Sequence, residues 1–241
     1  MKQSEDQQKV TLLCVSDEKD PLIYSENLKE RYGHIDAVIG AGDLPMEYYG
    51  FIVSMINKPL LFVFGNHQLR HYRRFKFVKN SFFDQDLLYQ GHQKEQRAPI
   101  DYFGATYVGG KVVYRRDLQL IIAGMGGSKR YNNGQNQYTE FQMYMKLIRL
   151  FPALLLNRLV RGRWVDLLVT HAPPKDIHDK PDPCHRGFSA FLWFMRVFKP
   201  KYLLHGHTHL LDINENRVTR YEGTEVVNVF KRYVLEVHKG E

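Results

Sequence analysis

Apolar residues along the chain fall in short runs that end repeatedly at polar or glycine-containing turns. Residues 10–15 stop at Ser-Asp, 37–39 at Gly-Ala-Gly-Asp, 60–64 at Gly-Asn-His, 167–169 at Thr-His and 202–204 at His-Gly-His. Runs this short and this rich in β-branched residues and leucine predict buried strands. Segments of helical length, 25–32 and 47–56, separate the early runs. The first third therefore predicts β-α-β-α-β and a largely parallel sheet within an α/β layered fold. Farther on, 106–110, 111–114 and 118–123 predict three short strands in an antiparallel meander. Residues 139–160 predict a long helical region in which Pro152, suited to a first helical turn, opens a second helix. Closing strands are predicted over 217–221, 225–229 and 233–237. Two sheets packed face to face with helices outside accommodate this count. The chain shows no Ser/Gly/Pro linker or internal repeat, so a single domain over 1–241 is expected.

Composition narrows the class. The chain has 241 residues, 44% hydrophobic and 25% charged, which excludes a disordered or low-complexity polypeptide. No run approaches the roughly 18 apolar residues of a membrane span. The start Met1-Lys-Gln-Ser-Glu-Asp holds no apolar signal segment, so the expected location is cytoplasmic. Two cysteines, Cys14 and Cys184, argue against a disulfide framework or a thiolate zinc cluster. Charge alters the picture more: 34 Lys+Arg against 26 Asp+Glu gives a net charge of +8. The cations cluster without any acid in 69–83, 141–165 and 186–201. Such clusters predict an anionic partner: phosphate, nucleic acid or a lipid headgroup.

The candidate chemistry stands at the strand ends, where ligands gather in open α/β sheets. Those positions hold Asp17, Asp43, Asn66, His67, His171, His207 and His209. Carboxylates, an amide oxygen and imidazoles form a mixed O/N donor set that suits Mn²⁺, Fe or Zn²⁺. In His207-Thr208-His209 the imidazoles at i and i+2 point the same way if the segment is extended, and reach two neighbouring cations. Two cations about 3.5–4 Å apart clamp a phosphoryl group, which predicts hydrolytic phosphoryl chemistry.

Asp17 after a strand, Gly42-Asp43, Gly65-Asn66-His67, Thr170-His171 and Gly206-His207-Thr208-His209 resemble, in order and approximate spacing, the motifs of the calcineurin-like metallophosphoesterase superfamily. The resemblance runs from Val10 to about Leu210 and implies a four-layer α-β-β-α sandwich with a dinuclear metal site. It implies that Asp17 and His209 bind the first metal, that Asp43 bridges both, and that Asn66, His171 and His207 complete the second. It also implies a metal-bound hydroxide as nucleophile, with His67 beside the leaving group as proton donor or charge stabiliser.

Three positions depart from the family pattern. Lys19 stands where the first motif usually has histidine, so the first site loses a ligand, recruits Glu18, Asp20 or water, or gives way to an ammonium and leaves a single metal. Glu47 is the nearest acid after Asp43, where a second Asp is usual. Gln68 follows His67 in place of an acid that orients the imidazole.

The expected function is a metal-dependent phosphoesterase cleaving a phosphomonoester, phosphodiester or pyrophosphate bond. The alternative is a catalytically weak binding scaffold on the same fold, motivated by Lys19 and Gln68. Substrate contacts are expected from Ser128 and Arg130 in the glycine turn 124–130, and from His178 and His185 in the long loop after His171. Basic residues interleaved with Tyr72, Phe75 and Phe77 suit a nucleic-acid backbone. The basic apolar segments 144–160 and 188–198 suit an acylated, phosphate-bearing lipid precursor, or are simply outer helices with their apolar faces on the sheets.

Overall fold

The computed structural model of the chain describes residues 9–76, 101–210 and 215–238. The first sheet is built from β1 (Lys9–Ser16), β2 (Ala37–Gly40), β3 (Leu60–Phe62), β4 (Asp101–Tyr102) and β5 (Ala105–Tyr107), closed by the last strand, β14 (Lys231–His238). Its order is β14-β1-β2-β3-β5-β4. The second holds β6 (Lys111–Arg115), β7 (Leu120–Met125), β10 (Leu167–Thr170), β11 (Tyr202–His205), β12 (Val218–Tyr221) and β13 (Thr224–Asn228), in the order β12-β13-β11-β10-β7-β6. A small ladder pairs β8 (Ser128–Lys129) with β9 (Gln137–Tyr138).

Alternation along the central strands explains the layering. Leu12 and Cys14 of β1, Ile39 of β2 and Leu61 of β3 turn inward and meet Ile122, Leu167, Val169 and Leu204 of the second sheet in one buried cluster. Their neighbours Leu13, Val15, Val38, Leu60 and Phe62 face the other way, onto α1 (Leu28–Tyr32), α2 (Met46–Ile56) and α3 (Tyr72–Lys76). In the second sheet Ile121, Ala123, Leu168 and Leu203 face α4 (Glu140–Ile148), α5 (Phe151–Arg161) and α6 (Ser189–Phe198). Strands apolar on both faces thus separate two helical layers, which is the α-β-β-α sandwich.

The meander expected over 106–123 divides instead between the sheets. β5 pairs in parallel with β3, and Val108 N–H continues that ladder to the Phe62 carbonyl at 2.9 Å. After the turn at Gly109 and Gly110 the chain enters the second sheet, where β6 and β7 form an antiparallel pair. Hydropathy marks each strand but carries no sign of which sheet it joins.

The helical expectations also resolve. Thr139 caps α4 with a reciprocal capping box to Gln142, and Pro152 sits in the first turn of α5. Helix α6 buries Phe191, Phe194, Met195 and Phe198 against the sheet. Helix α5 does the reverse: Leu154 and Asn157 face inward while Phe151, Leu155, Leu156, Leu159 and Val160 are exposed. Tyr72 and Phe75, expected to interleave with cations along a nucleic acid, are buried. They pack with Phe62 and Phe64, whose rings lie 5.1 Å apart, and are not available to stack on bases. Phe77 and the rest of that stretch, 77–83, lie outside the described residues.

Phe62 is the centre of that aromatic cluster, so Phe62→Ala should cost about 3–5 kcal/mol in denaturant unfolding, whereas Leu159→Ser on the exposed side of α5 should change stability by about 0.5 kcal/mol or less.

Candidate metal centre

Parallel pairing brings the chemistry together. β1, β2 and β3 run in one direction in the first sheet, and β7, β10 and β11 in one direction in the second. Their carboxyl ends lead into Asp17, Asp43, Asn66, His171 and His207. At three of these positions the backbone is left-handed: Asp17 has φ 65°, Asp43 58° and His207 66°. For non-glycine residues this stores on the order of 1–3 kcal/mol each and persists only where surrounding bonds over-determine it. Here Asp17 N–H donates to the Gly42 carbonyl at 3.0 Å, and Ala41 N–H to the Val15 carbonyl at 2.9 Å.

His171 is the hub. It is fully buried, and its Nδ1 donates to the Ala41 carbonyl at 2.8 Å. That bond directs Nε2 toward two oxygens, Asp43 Oδ2 at 3.2 Å and Asn66 Oδ1 at 3.1 Å. A carboxylate oxygen, an amide oxygen and an imidazole nitrogen offering lone pairs to one point is a cation site in outline. Ligand atoms of Asp43, His171 and His207 all lie within 4.8 Å of one another. The ring of His207 is 4.7 Å from that of His171, and its Nε2 donates to the Cys184 carbonyl at 2.6 Å, leaving the lone pair on Nδ1. Gly65 precedes Asn66 because a Cβ there would meet the Asp43 carboxylate and His171.

The second half of the cluster is more open. Both oxygens of Asp17 accept the His207 N–H, at 2.9 and 3.1 Å. His209 Nε2 is 4.0 Å from Asp17 Oδ1, and its ring stacks on Phe230 with centroids 4.7 Å apart. Glu18 Oε1 lies 3.7 Å from His209 Nδ1, and Glu18 Oε2 pairs with Lys231 at 3.1 Å. Asp20, considered as a substitute ligand, is buried and paired with Arg232. Lys19 is exposed, its ammonium 5.0 Å from the centre of the Tyr24 ring. Ammonium groups near this half of the cluster belong to Lys231, on Glu18, and to Lys180, on the His209 carbonyl. His67 is exposed, and its backbone N–H donates to Asp43 Oδ1 at 2.7 Å.

Electrostatics record the crowding. Burial pushes Asp17 above the usual carboxylate range, opposed by the charge of His171. For Asp43 burial is outweighed by the charge and hydrogen bond of His171, which hold it down at about 2. Burial likewise opposes protonation of His171, but Asp43 overcomes it and raises that imidazole to about 9. His207, buried and beside His171, falls to about 3. At neutral pH the metal-free cluster thus carries a proton on His171 Nε2, at the point where the donors converge. The residues fit a bound cation, and a proton stands in for it.

The model of the calcineurin-like phosphoesterase family matches residues 17–211. The chain belongs to the calcineurin-like phosphoesterase family. Its membership supports metal-dependent phosphoester hydrolysis in general, without specifying the substrate. No curated protein matches the chain. A solved structure of the Thermus thermophilus protein TT1561 has the same fold at 11% identity and TM-score 0.53, covering 96% of this chain and 99% of its own. A further crystal structure aligns at 10% identity and TM-score 0.56, covering 96% and 100%.

Within this family member, the four residues expected to touch substrate have different surroundings. Ser128 is buried, with its hydroxyl donating to the Lys129 carbonyl at 3.4 Å. Arg130 donates to the helix-capping Gln142 at 3.2 Å. His178 lies between His205 Nε2 and Thr219 Oγ1, 2.9 Å from each. His185 alone adjoins the cluster, its ring 5.2 Å from that of His207 and its Nδ1 2.8 Å from Asp182.

Two supporting residues escaped the sequence reading. Asn136, buried at φ 55°, donates to the Phe64 and Gly65 carbonyls at 3.1 and 2.6 Å and accepts from the Tyr72 and Tyr138 hydroxyls. It fixes the loop carrying Asn66 from a stretch that reads as plain turn, so nothing local marked it. Tyr131 holds the Asn66 amide at 3.3 Å.

Stability of the metal-free protein should peak near pH 6.5, the ordinary imidazole value. As pH falls from there toward 3, the unfolded chain takes up protons that buried His205 and His207 refuse, so stability drops. Asp17 opposes this, but two histidines outweigh one carboxylate. As pH rises through about 9, His171 loses the proton that ties it to Asp43, and that contribution disappears. Thermal melts in chelator across this range should show a maximum; a monotonic rise with pH contradicts the assignment.

Proposed function

We propose that the protein is a hydrolase of phosphoester bonds using up to two divalent cations. In this reading Asn66, His171 and His207 would hold one cation, Asp17 and His209 with Glu18 alongside would hold the other, and Asp43 would serve both. The cations, when bound, supply Lewis acidity and an activated water. The observation that carries the reading is the convergence of Asp43 Oδ2 and Asn66 Oδ1 on His171 Nε2 at 3.2 and 3.1 Å.

Protein groups complete the site. His67, exposed on the loop tied to Asp43, gives a proton to the departing oxygen. His185, held by Asp182, contacts a substrate oxygen. A cleft of about 430 Å³ includes Lys180, whose ammonium donates to the His209 carbonyl at 3.2 Å. Lys129, Lys175 and Arg186 also line it, against Asp176 and Asp179. The surplus of cations suits a substrate with anionic groups beyond the scissile phosphate. Lys19 stands over Tyr24 and not among the donors, which removes a competing ammonium but supplies no ligand in place of the usual histidine, so the competing scaffold reading still rests on that position and on Gln68.

Purified protein should cleave bis(p-nitrophenyl) phosphate in the presence of Mn²⁺. Asp43→Ala should lose both metal and turnover; His67→Ala should retain metal while kcat falls about 10²–10³-fold. Undiminished turnover in Asp43→Ala contradicts the proposal. Lys19→Ala should leave metal stoichiometry unchanged by elemental analysis, whereas a change would place Lys19 within the first site.

A further inference from the structure

Helix α5 carries its apolar side outward. On a helical wheel Phe151, Pro152, Leu155, Leu156, Leu159 and Val160 share one half, while Leu154 and Asn157 occupy the opposite side and face the sheet. Exposure reaches 58% at Leu156, 75% at Leu159 and 65% at Val160. Helix α4 repeats the pattern: Phe141, Met145 and Ile148 are exposed at i, i+4 and i+7, while Met143 and Leu147 are buried. Isolated exposed apolar residues need no explanation; whole helical faces do.

We propose that this outer face of α4 and α5 docks the protein on an anionic lipid bilayer surface. Charge selects the occupant. Residues 141–165 contain no acid; Arg163 pairs with Asp166 and Arg161 lies over Tyr114, while Arg149 and Arg158 are exposed at the border of the apolar side. A second copy on the same face, related by a two-fold axis, would bring this basic border of Arg149 and Arg158 against itself. Lipid phosphates offer the complementary charge, and acyl chains offer the apolar surface that these leucines lack.

A second feature adjoins the end of α5. A cavity of about 160 Å³ is lined by Arg158, Arg163, Trp164, Phe198, Lys199 and Lys201. Its acid, Asp166, already accepts from Arg163 at 2.7 Å and from the Ile121 N–H at 2.7 Å. The remaining cations, with an indole among them, form a place for a headgroup phosphate at the edge of the apolar face. None of its lining residues belongs to the metal cluster, so this docking surface stands independently of the phosphoesterase reading.

Flotation with phosphatidylcholine vesicles, with and without phosphatidylglycerol, tests it. The full chain should float with the mixed vesicles and stay behind with phosphatidylcholine alone. Leu159→Glu should weaken partitioning about tenfold or more, and Arg158→Gln and Lys199→Gln about fivefold each, with thermal melts unchanged. Absence of binding to the mixed vesicles overturns the proposal, as does binding that Leu159→Glu leaves intact. Sedimentation without lipid showing a dimer that Leu159→Glu dissociates would also overturn it and assign the face to a second copy.

Discussion

Much of the site's architecture depends on one buried imidazole. His171 sits between two sheets, tied by Nδ1 to the Ala41 carbonyl and by Nε2 to Asp43 and Asn66. Its own strand, β10, belongs to the second sheet, while its partners follow strands of the first. The contact therefore couples the halves of the sandwich at the point where the donors gather. In the absence of a cation this arrangement keeps a proton on His171 against the cost of burial, because the charge and hydrogen bond of Asp43 outweigh that cost. The left-handed backbone at Asp17, Asp43 and His207 is the conformational cost of aiming three side chains into one space.

The strand ends were legible in the sequence because apolar runs of fixed length must stop somewhere, and each stopped at a polar residue with few purely structural uses. Asp17, Asn66 and His207 could be placed at one edge of a layered fold from that pattern alone. The sheet to which a strand belongs was not legible: β5 and β6 are four residues apart and lie in different sheets. Pairing is decided by the neighbours a strand finds, not by its own composition. Asn136 was invisible for a related reason, since its work is to bind main-chain carbonyls more than seventy positions away.

Charge was legible as an excess and misleading in its detail. The aromatic residues interleaved with cations after position 70 turned into core, at least as far as Tyr72 and Phe75. The basic segment 144–160, read either as lipid-facing or as an ordinary outer helix, turns Leu155, Leu156 and Leu159 outward at α5. Both outcomes share a cause: a periodic apolar stripe predicts that a helix has two sides, while the rest of the fold decides which side is covered. Lys19 illustrates the same point in a single residue. Its place in the motif suggested competition with a metal, yet a short turn carries its ammonium to Tyr24, and Glu18 is the residue that lies beside His209.

The claim that a cation replaces the proton on His171 can be measured directly. Calorimetric titration of the chelator-stripped protein with Mn²⁺ at neutral pH, in two buffers of different ionisation enthalpy, reports both binding and proton release. The account predicts binding accompanied by release of about one proton, with both lost in His171→Ala. Binding without proton release, or binding that survives His171→Ala unchanged, would contradict it.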